Sequence, residues 1–283
     1  MTFTILRIFR SRVVLISALF LAFLLLTALF GPLLYTVDPA MGDVDNLRSF
    51  PTLAHPLGTD DIGRDTLARL MMGLRVSLAV AVVVEFFNVV VGAGLGVLAG
   101  YFGGWIDVIV ARLADMLFAF PGLLLAILIS AIFGSTAVEF AGGAGRLLLV
   151  SFSLALVGWP LMARYTRGQT LSLKERLFVE STRALGASDR HILWRHILPN
   201  LAGLIIVSAT LDVATVIVSE ATLGLLGLSA QPPQTSLGKM IVEAFNYMTL
   251  NWTQVLFPGL VLALLVLTLS FVGDGLQEYV ERG

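Results

Sequence analysis

The sequence predicts an all-α, polytopic membrane protein. Mean hydropathy is +0.92 and 57% of the residues are hydrophobic. Charged residues make up only 13%, about half the share found in soluble domains. Several uncharged apolar runs exceed the about 20 residues that a helix needs to cross a bilayer. A helix also satisfies its own backbone in lipid, where water cannot. A net charge of −1 offers no bulk attraction to nucleic acid. With no cysteine, disulfides and thiolate metal sites are excluded.

The elements follow in order. Met1 to Arg12 carries Arg7, Arg10 and Arg12 and no acid, so it belongs in the cytoplasm. Val13 to Val37 is the first span. It is too long for a signal-peptide core and lacks a small-residue cleavage site, so it reads as an anchor. Asp38 to Arg75 is polar and extracytoplasmic. In it Thr59 is expected to cap a helix, with Asp60 and Asp61 in the first turn. Leu67, Leu70, Met71 and Leu74 supply one apolar face leading into the membrane. The second span, Val76 to Gly100, contains Glu85 and a Gly92–Gly96 run that permits close helix approach. A short inner turn, Tyr101 to Arg112, precedes a third span over Ile109 to Phe133, kinked at Pro121. Arg112 and Asp115 are spaced to pair. Gly134 to Arg146 reads as an outer loop and Leu147 to Ala163 as the fourth span.

Arg164, Arg167, Lys174, Arg176, Arg183, Arg190 and Arg195 then form the strongest basic cluster, which places that segment inside. Pro199 to Gly224 is the fifth span, with Asp212 and Glu220. Leu225 to Asn251 is an outer loop with a short segment over Lys239 to Tyr247, Gln254 to Val272 is the sixth span, and Asp274 to Gly283 is an inner tail. The expectation is six spans with both termini cytoplasmic. It divides into residues 1–75 and a five-helix core at 76–283 that holds an inner loop at 164–199. No internal repeat of the secondary-transporter kind is visible.

Phe178 to Asn200 is a polar island between apolar runs, and the pattern predicts two short helices joined by a turn. Gly186 suits the left-handed conformation that ends a helix. Ser188 suits the next N-cap, with Asp189 in its first turn. Ile192, Leu193, Ile197 and Leu198 give the second helix an apolar side, and Pro199 opens the next span.

Glu180, then Arg183-Ala184, Gly186 and a closing Leu198-Pro199 resemble the EAA loop of the membrane subunits of ABC importers. Ser181-Thr182 stand in place of the usual Ala-Ala, and His196 in place of the usual Ile. The stretch HPLGTDDIGRD from His55, and LGLLGL…P…LG from Leu223 to Gly238, resemble the C-type permeases of the dipeptide, oligopeptide and nickel branch. The resemblance implies a type I importer permease in a bacterial cytoplasmic membrane. It also implies a second permease, two ABC ATPases that bind ATP and Mg, and an extracytoplasmic binding protein. The loop residues Glu180, Ala184, Gly186, Ala187, Ser188 and Asp189 would then be the lever that meets an ATPase. Peptides are the expected cargo, with nickel or a metal chelate as the alternative.

The chain itself contains no G-x-x-x-x-G-K-[ST] motif, so ATP hydrolysis belongs to other subunits. His191 and His196 are five apart, poorly spaced for one metal ion on a helical face. No histidine lies at membrane depth to activate a nucleophile, which argues against an intramembrane hydrolase. Charges at membrane depth are costly and tend to face a bundle interior or a watery path. Glu85, Asp212 and Glu220 are therefore candidates to line a cargo path and favour a cationic group. Their alternative is hydrogen bonding to polar side chains of neighbouring helices. A stand-alone transporter or channel, and a non-transporting scaffold on the same loop, are the remaining rivals.

Overall fold

The computed structural model describes residues 11–282. The basic segment Met1 to Arg10 and the final Gly283 lie outside the described residues. The described chain is helical, without strands beyond two isolated bridges. Helix α1 is Arg12–Leu34. Helix α2, Thr66–Phe87, passes through a π-helical turn at Asn88–Ala93 into α3, Gly94–Phe102. Helix α4 is Gly104–Phe118, and α5 covers Gly122–Lys174. The inner loop contributes α6, Leu177–Ala184, and the single turn α7, Asp189–Ile192. A second π-helical turn, Leu193–Ile197, joins α7 to α8, Leu198–Leu225. Helix α9 is Leu237–Phe245 and α10 is Thr253–Arg282.

Five helical stretches are long and apolar enough to cross a membrane: 12–34, 66–102, 122–174, 189–225 and 253–280. The third is a hairpin. Ala141 and Gly142 leave helical geometry, with Gly142 at φ 57°. The two arms lie antiparallel: Ser130 and Ser153 hydroxyls meet at 3.2 Å, and Arg146 Nη1 donates to the Ser130 carbonyl at 3.1 Å. The expected outer loop at Gly134 to Arg146 is thus mostly helix, with the reversal confined to the Ala141-Gly142 step.

The expected third span over Ile109 to Phe133 is corrected. The chain breaks between Phe118 and Gly122. Pro121 lacks an N–H and cannot continue a helix. Helix α4 and the first arm of α5 run in succession alongside the second arm, held by Arg167–Asp107 and Arg164–Asp115 ion pairs, the latter 2.6 Å. Asp115 therefore pairs with Arg164 and not with Arg112, as its sequence spacing suggested.

The outer end is knitted by the segment before α2. Asp65, rather than Thr59, caps α2 by accepting from the Ala68 N–H at 2.8 Å. Thr59 instead bonds Ser49 and the Asn46 carbonyl. Asp65 also accepts from the Tyr35 hydroxyl and meets His55 Nδ1, each at 2.8 Å. Burial, then the Asp65 contact, push the Tyr35 pKa up to about 12. Asn251 Nδ2 donates to the Arg48 and Ser49 carbonyls at 3.1 and 3.0 Å, closing this end over α10.

Candidate functional site

The inner loop is built by local rules. Helix α6 ends in a Schellman motif: the Gly186 N–H reaches the Arg183 carbonyl at 3.0 Å, and the Ala187 N–H reaches that of Thr182 at 3.3 Å. Gly186 has φ +84° with open space where a Cβ would stand. Ser188 caps α7, accepting from the His191 N–H at 3.4 Å. The Asp189 carboxylate receives the Tyr101 hydroxyl at 2.7 Å, tying the loop to the end of α3. The Arg183 guanidinium lies 5.8 Å from the Tyr101 ring centre, within cation–π range. Lys174 Nζ adds a bond to the Gly100 carbonyl at 3.0 Å.

Beneath the loop, Val97, Tyr101, Leu173, Val179, Ile192, Ile197 and Leu201 form one buried cluster. It joins α3, the end of α5 and the start of α8. Above it Glu180, Ala184, Gly186, Ser188 and Asp189 are exposed and Ala187 is half-buried. Leu177, Leu185 and Trp194 stand out from the same loop at 80%, 88% and 68% exposure. Sequence reasoning missed Tyr101, which is 88 residues from Asp189 in the chain. It also passed over Leu185 and Trp194, whose only signal was an apolar residue at a turn or on a polar face. The second π-helical turn brings the His191 and His196 rings to 5.7 Å. Among the described residues no group of three or more His, Cys, Asp or Glu is placed to hold a metal.

The acids at membrane depth separate into two sites. Asn88 opens the first π-helical turn and sits between two carboxylates. Its Nδ2 donates to Asp212 at 3.1 Å and to Glu85 at 3.4 Å. Glu85 Oε1 and Asn88 Oδ1 are buried without a hydrogen-bond partner. Asp212 lines a cavity of about 560 Å³ between the second arm of α5, α8 and α10. Glu220 is elsewhere: fully buried, it accepts from the Ser77 hydroxyl at 2.7 Å and from Ser229. Eight residues on a helix turn the side chain by about 80°, which carries Glu220 off the cavity and into the contact with α2.

Comparison with known proteins follows this division. Residues 92–283 match the family "Binding-protein-dependent transport system inner membrane component". Residues 4–56 match "N-terminal TM domain of oligopeptide transport permease C". A glutathione transport system permease protein GsiD from Pectobacterium atrosepticum is 38% identical over 276 residues, 97% of this chain and 88% of that one. GsiD from Escherichia coli O6:K15:H31 is 40% identical over 273 residues, 96% and 87% of the two chains. Inward-facing structures of the MetNI methionine ABC transporter share the fold at TM-scores of 0.54 and 0.55. They are 21% and 20% identical, cover 75% and 76% of this chain, and are themselves 95% covered. This chain belongs to the binding-protein-dependent inner membrane components; it is a multi-pass bacterial inner-membrane ABC importer permease, of the family that includes the peptide, oligopeptide and nickel permeases, and not an enzyme.

Proposed function

We propose that this chain is the C-type permease of a peptide importer, paired with a second permease, two ABC ATPases that bind ATP and Mg, and an extracytoplasmic binding protein. The passes of the chain between its two ends serve as six membrane spans. Both termini and the loop at 164–199 lie in the cytoplasm. Residues 1–75 form an anchor and outer segment around the five-helix core at 76–283. One observation carries this reading: a rigidly capped loop that exposes Leu177, Leu185 and Trp194 above a core joining α3, α5 and α8. Force on that surface reaches three membrane helices at once. Glu180, Ala184, Gly186, Ala187, Ser188 and Asp189 form the lever, and packed helices respond by switching between discrete arrangements.

The cargo is a small peptide of the glutathione kind, the substrate that the relatives' name carries. The cavity supports it: Gln169, Asn200, Ser208 and Thr215 offer the hydrogen-bonding groups that a peptide backbone needs, among apolar neighbours. The test is affinity purification from native membranes in mild detergent, with mass spectrometry and an ATPase assay. The expected result is recovery of a second permease and Walker-type ATPases. Gly186→Val should reduce ATPase recovery or its coupling to transport. Recovery of the chain alone would favour a stand-alone transporter.

A further inference from the structure

Glu85, Asn88 and Asp212 form a site that packing alone does not explain. Glu85 and Asp212 come from different helices and interact directly as well as through Asn88. Two carboxyl groups side by side at membrane depth are costly in their charged form unless a proton or another positive group meets them. Glu85 Oε1 is buried and receives no N–H or hydroxyl hydrogen bond, so its neighbour in the pair is the Asp212 carboxyl itself. Glu85 itself is only 7% exposed. Asn88 stands at the first residue of the π-helical turn, a distortion frequent at functional sites. Gly158 leaves room for it: a Cβ there would come within 2.6 Å of Asn88 Nδ2. Glu220, the other buried acid on α8, is by contrast satisfied by two serine hydroxyls and lies off the cavity.

We infer that the Glu85–Asn88–Asp212 cluster, reached from the cavity beside Asp212, is a station for the positively charged group of the cargo, making the path selective for ammonium-bearing solutes. The inference rests on the transport reading and deepens it. Asp212 presents its carboxylate to the cavity wall, Glu85 stands behind it, and Asn88 bridges the two. Low-dielectric walls focus such a field and raise the local concentration of the opposite charge.

The chain has no cysteine, so Ser208→Cys gives a unique thiol on this chain, one turn from Asp212 in the cavity wall. A thiosulfonate reagent bearing trimethylammonium is compared with one bearing sulfonate, on the assembled transporter, with labelling of this chain read by mass spectrometry. Each rate is divided by that of a small thiol in solution. The normalised cationic-to-anionic ratio is expected to be about tenfold or more. It should fall toward one in Glu85→Gln and in Asp212→Asn, and hold in Glu220→Gln. A ratio near one in the Ser208→Cys protein, which needs no change to any acid, overturns the station. So does a high ratio that survives both neutralisations. Failure of both reagents at Ser208→Cys and at Thr215→Cys would overturn the path reading itself, a different result from a reactive but uncharged cavity.

Discussion

Single residues decide how firmly the inner loop is held. Gly186 supplies a backbone conformation that an L side chain adopts at a cost of about 1–2 kcal/mol. It stands in open space, so Gly186→Val strains the turn without touching the core. Thermal stability of the purified transporter should change little while coupling falls. Tyr101 acts on the same loop from a distance. Tyr101→Phe keeps the ring in its buried cluster and removes only the hydroxyl bond to Asp189. That bond is worth about 1 kcal/mol. Cargo-stimulated ATPase activity is expected to fall several-fold, with the ATPases still co-purifying. Asp189→Asn retains an acceptor and should be milder. If both variants couple normally, the tie is incidental. Gly186 and Ser188 were legible in the sequence because a cap is a local matter. Tyr101 was not, because only folding brings α3 under the loop.

At the scale of elements, glycine spacing sets a close helix contact. Gly92, Gly96 and Gly100 lie along one stripe facing the second arm of α5. A Cβ at Gly96 would overlap Thr166 Oγ1 and the Ala163 carbonyl, whereas one at Gly94 would meet nothing. Gly96→Ala should therefore destabilise by about 1–3 kcal/mol through overpacking. Gly94→Ala should be silent, and unfolding of the detergent-solubilised chain would show the difference. The sequence announced a glycine run suited to close approach, and the stripe is that contact. Which glycines matter was decided by the π-helical turn at Asn88–Ala93, which shifts the register of the following helix. The break at Pro121 was legible as a kink, but its depth was not. Arg164 and Arg167 reach across to Asp115 and Asp107, so ion pairs between helices hold what the proline interrupts.

Across the whole molecule, one buried arginine joins the outer segments. Arg69 on α2 is 4% exposed. It donates to Asp60, to Glu243 on α9 at 2.6 Å, and to Thr235 at 3.3 Å. Lys239 lies beside this group, its pKa lowered by burial, with Nζ bonded to the Ala230 carbonyl at 2.9 Å. Arg64 also pairs with Asp60 at 2.6 Å and with Glu243 at 3.6 Å, so loss of Arg69 leaves each acid a partner and should cost about 1–3 kcal/mol in lost charged hydrogen bonds. Arg69→Ala should lower the melting temperature and expose residues 38–65 and 229–253 to limited proteolysis. A protein as resistant as the parent would show that other bonds suffice at this end. The sequence suggested Asp60 only as a first-turn acid and gave no signal for Arg69 or Glu243, because the Arg69–Glu243 pair spans 174 residues.

Composition and hydropathy by themselves determined that this is an all-α membrane protein, since uncharged apolar runs of about 20 residues span as helices, whereas barrel strands are about half that length and alternate. The order of glycine and serine determined the turn at Gly186 and the cap at Ser188, whereas the helix expected to open at Pro199 runs unbroken from Asp189 through the second π-helical turn. The turn and the cap are properties of short stretches, fixed by backbone sterics. The tertiary structure alone decided which acids share a site. Glu85 and Asp212 meet because α2 and α8 cross at Asn88, and Glu220, on the same helix as Asp212, turns away into a serine-lined contact. Periodicity can place a carboxylate on a face of its helix. Only packing selects what that face meets.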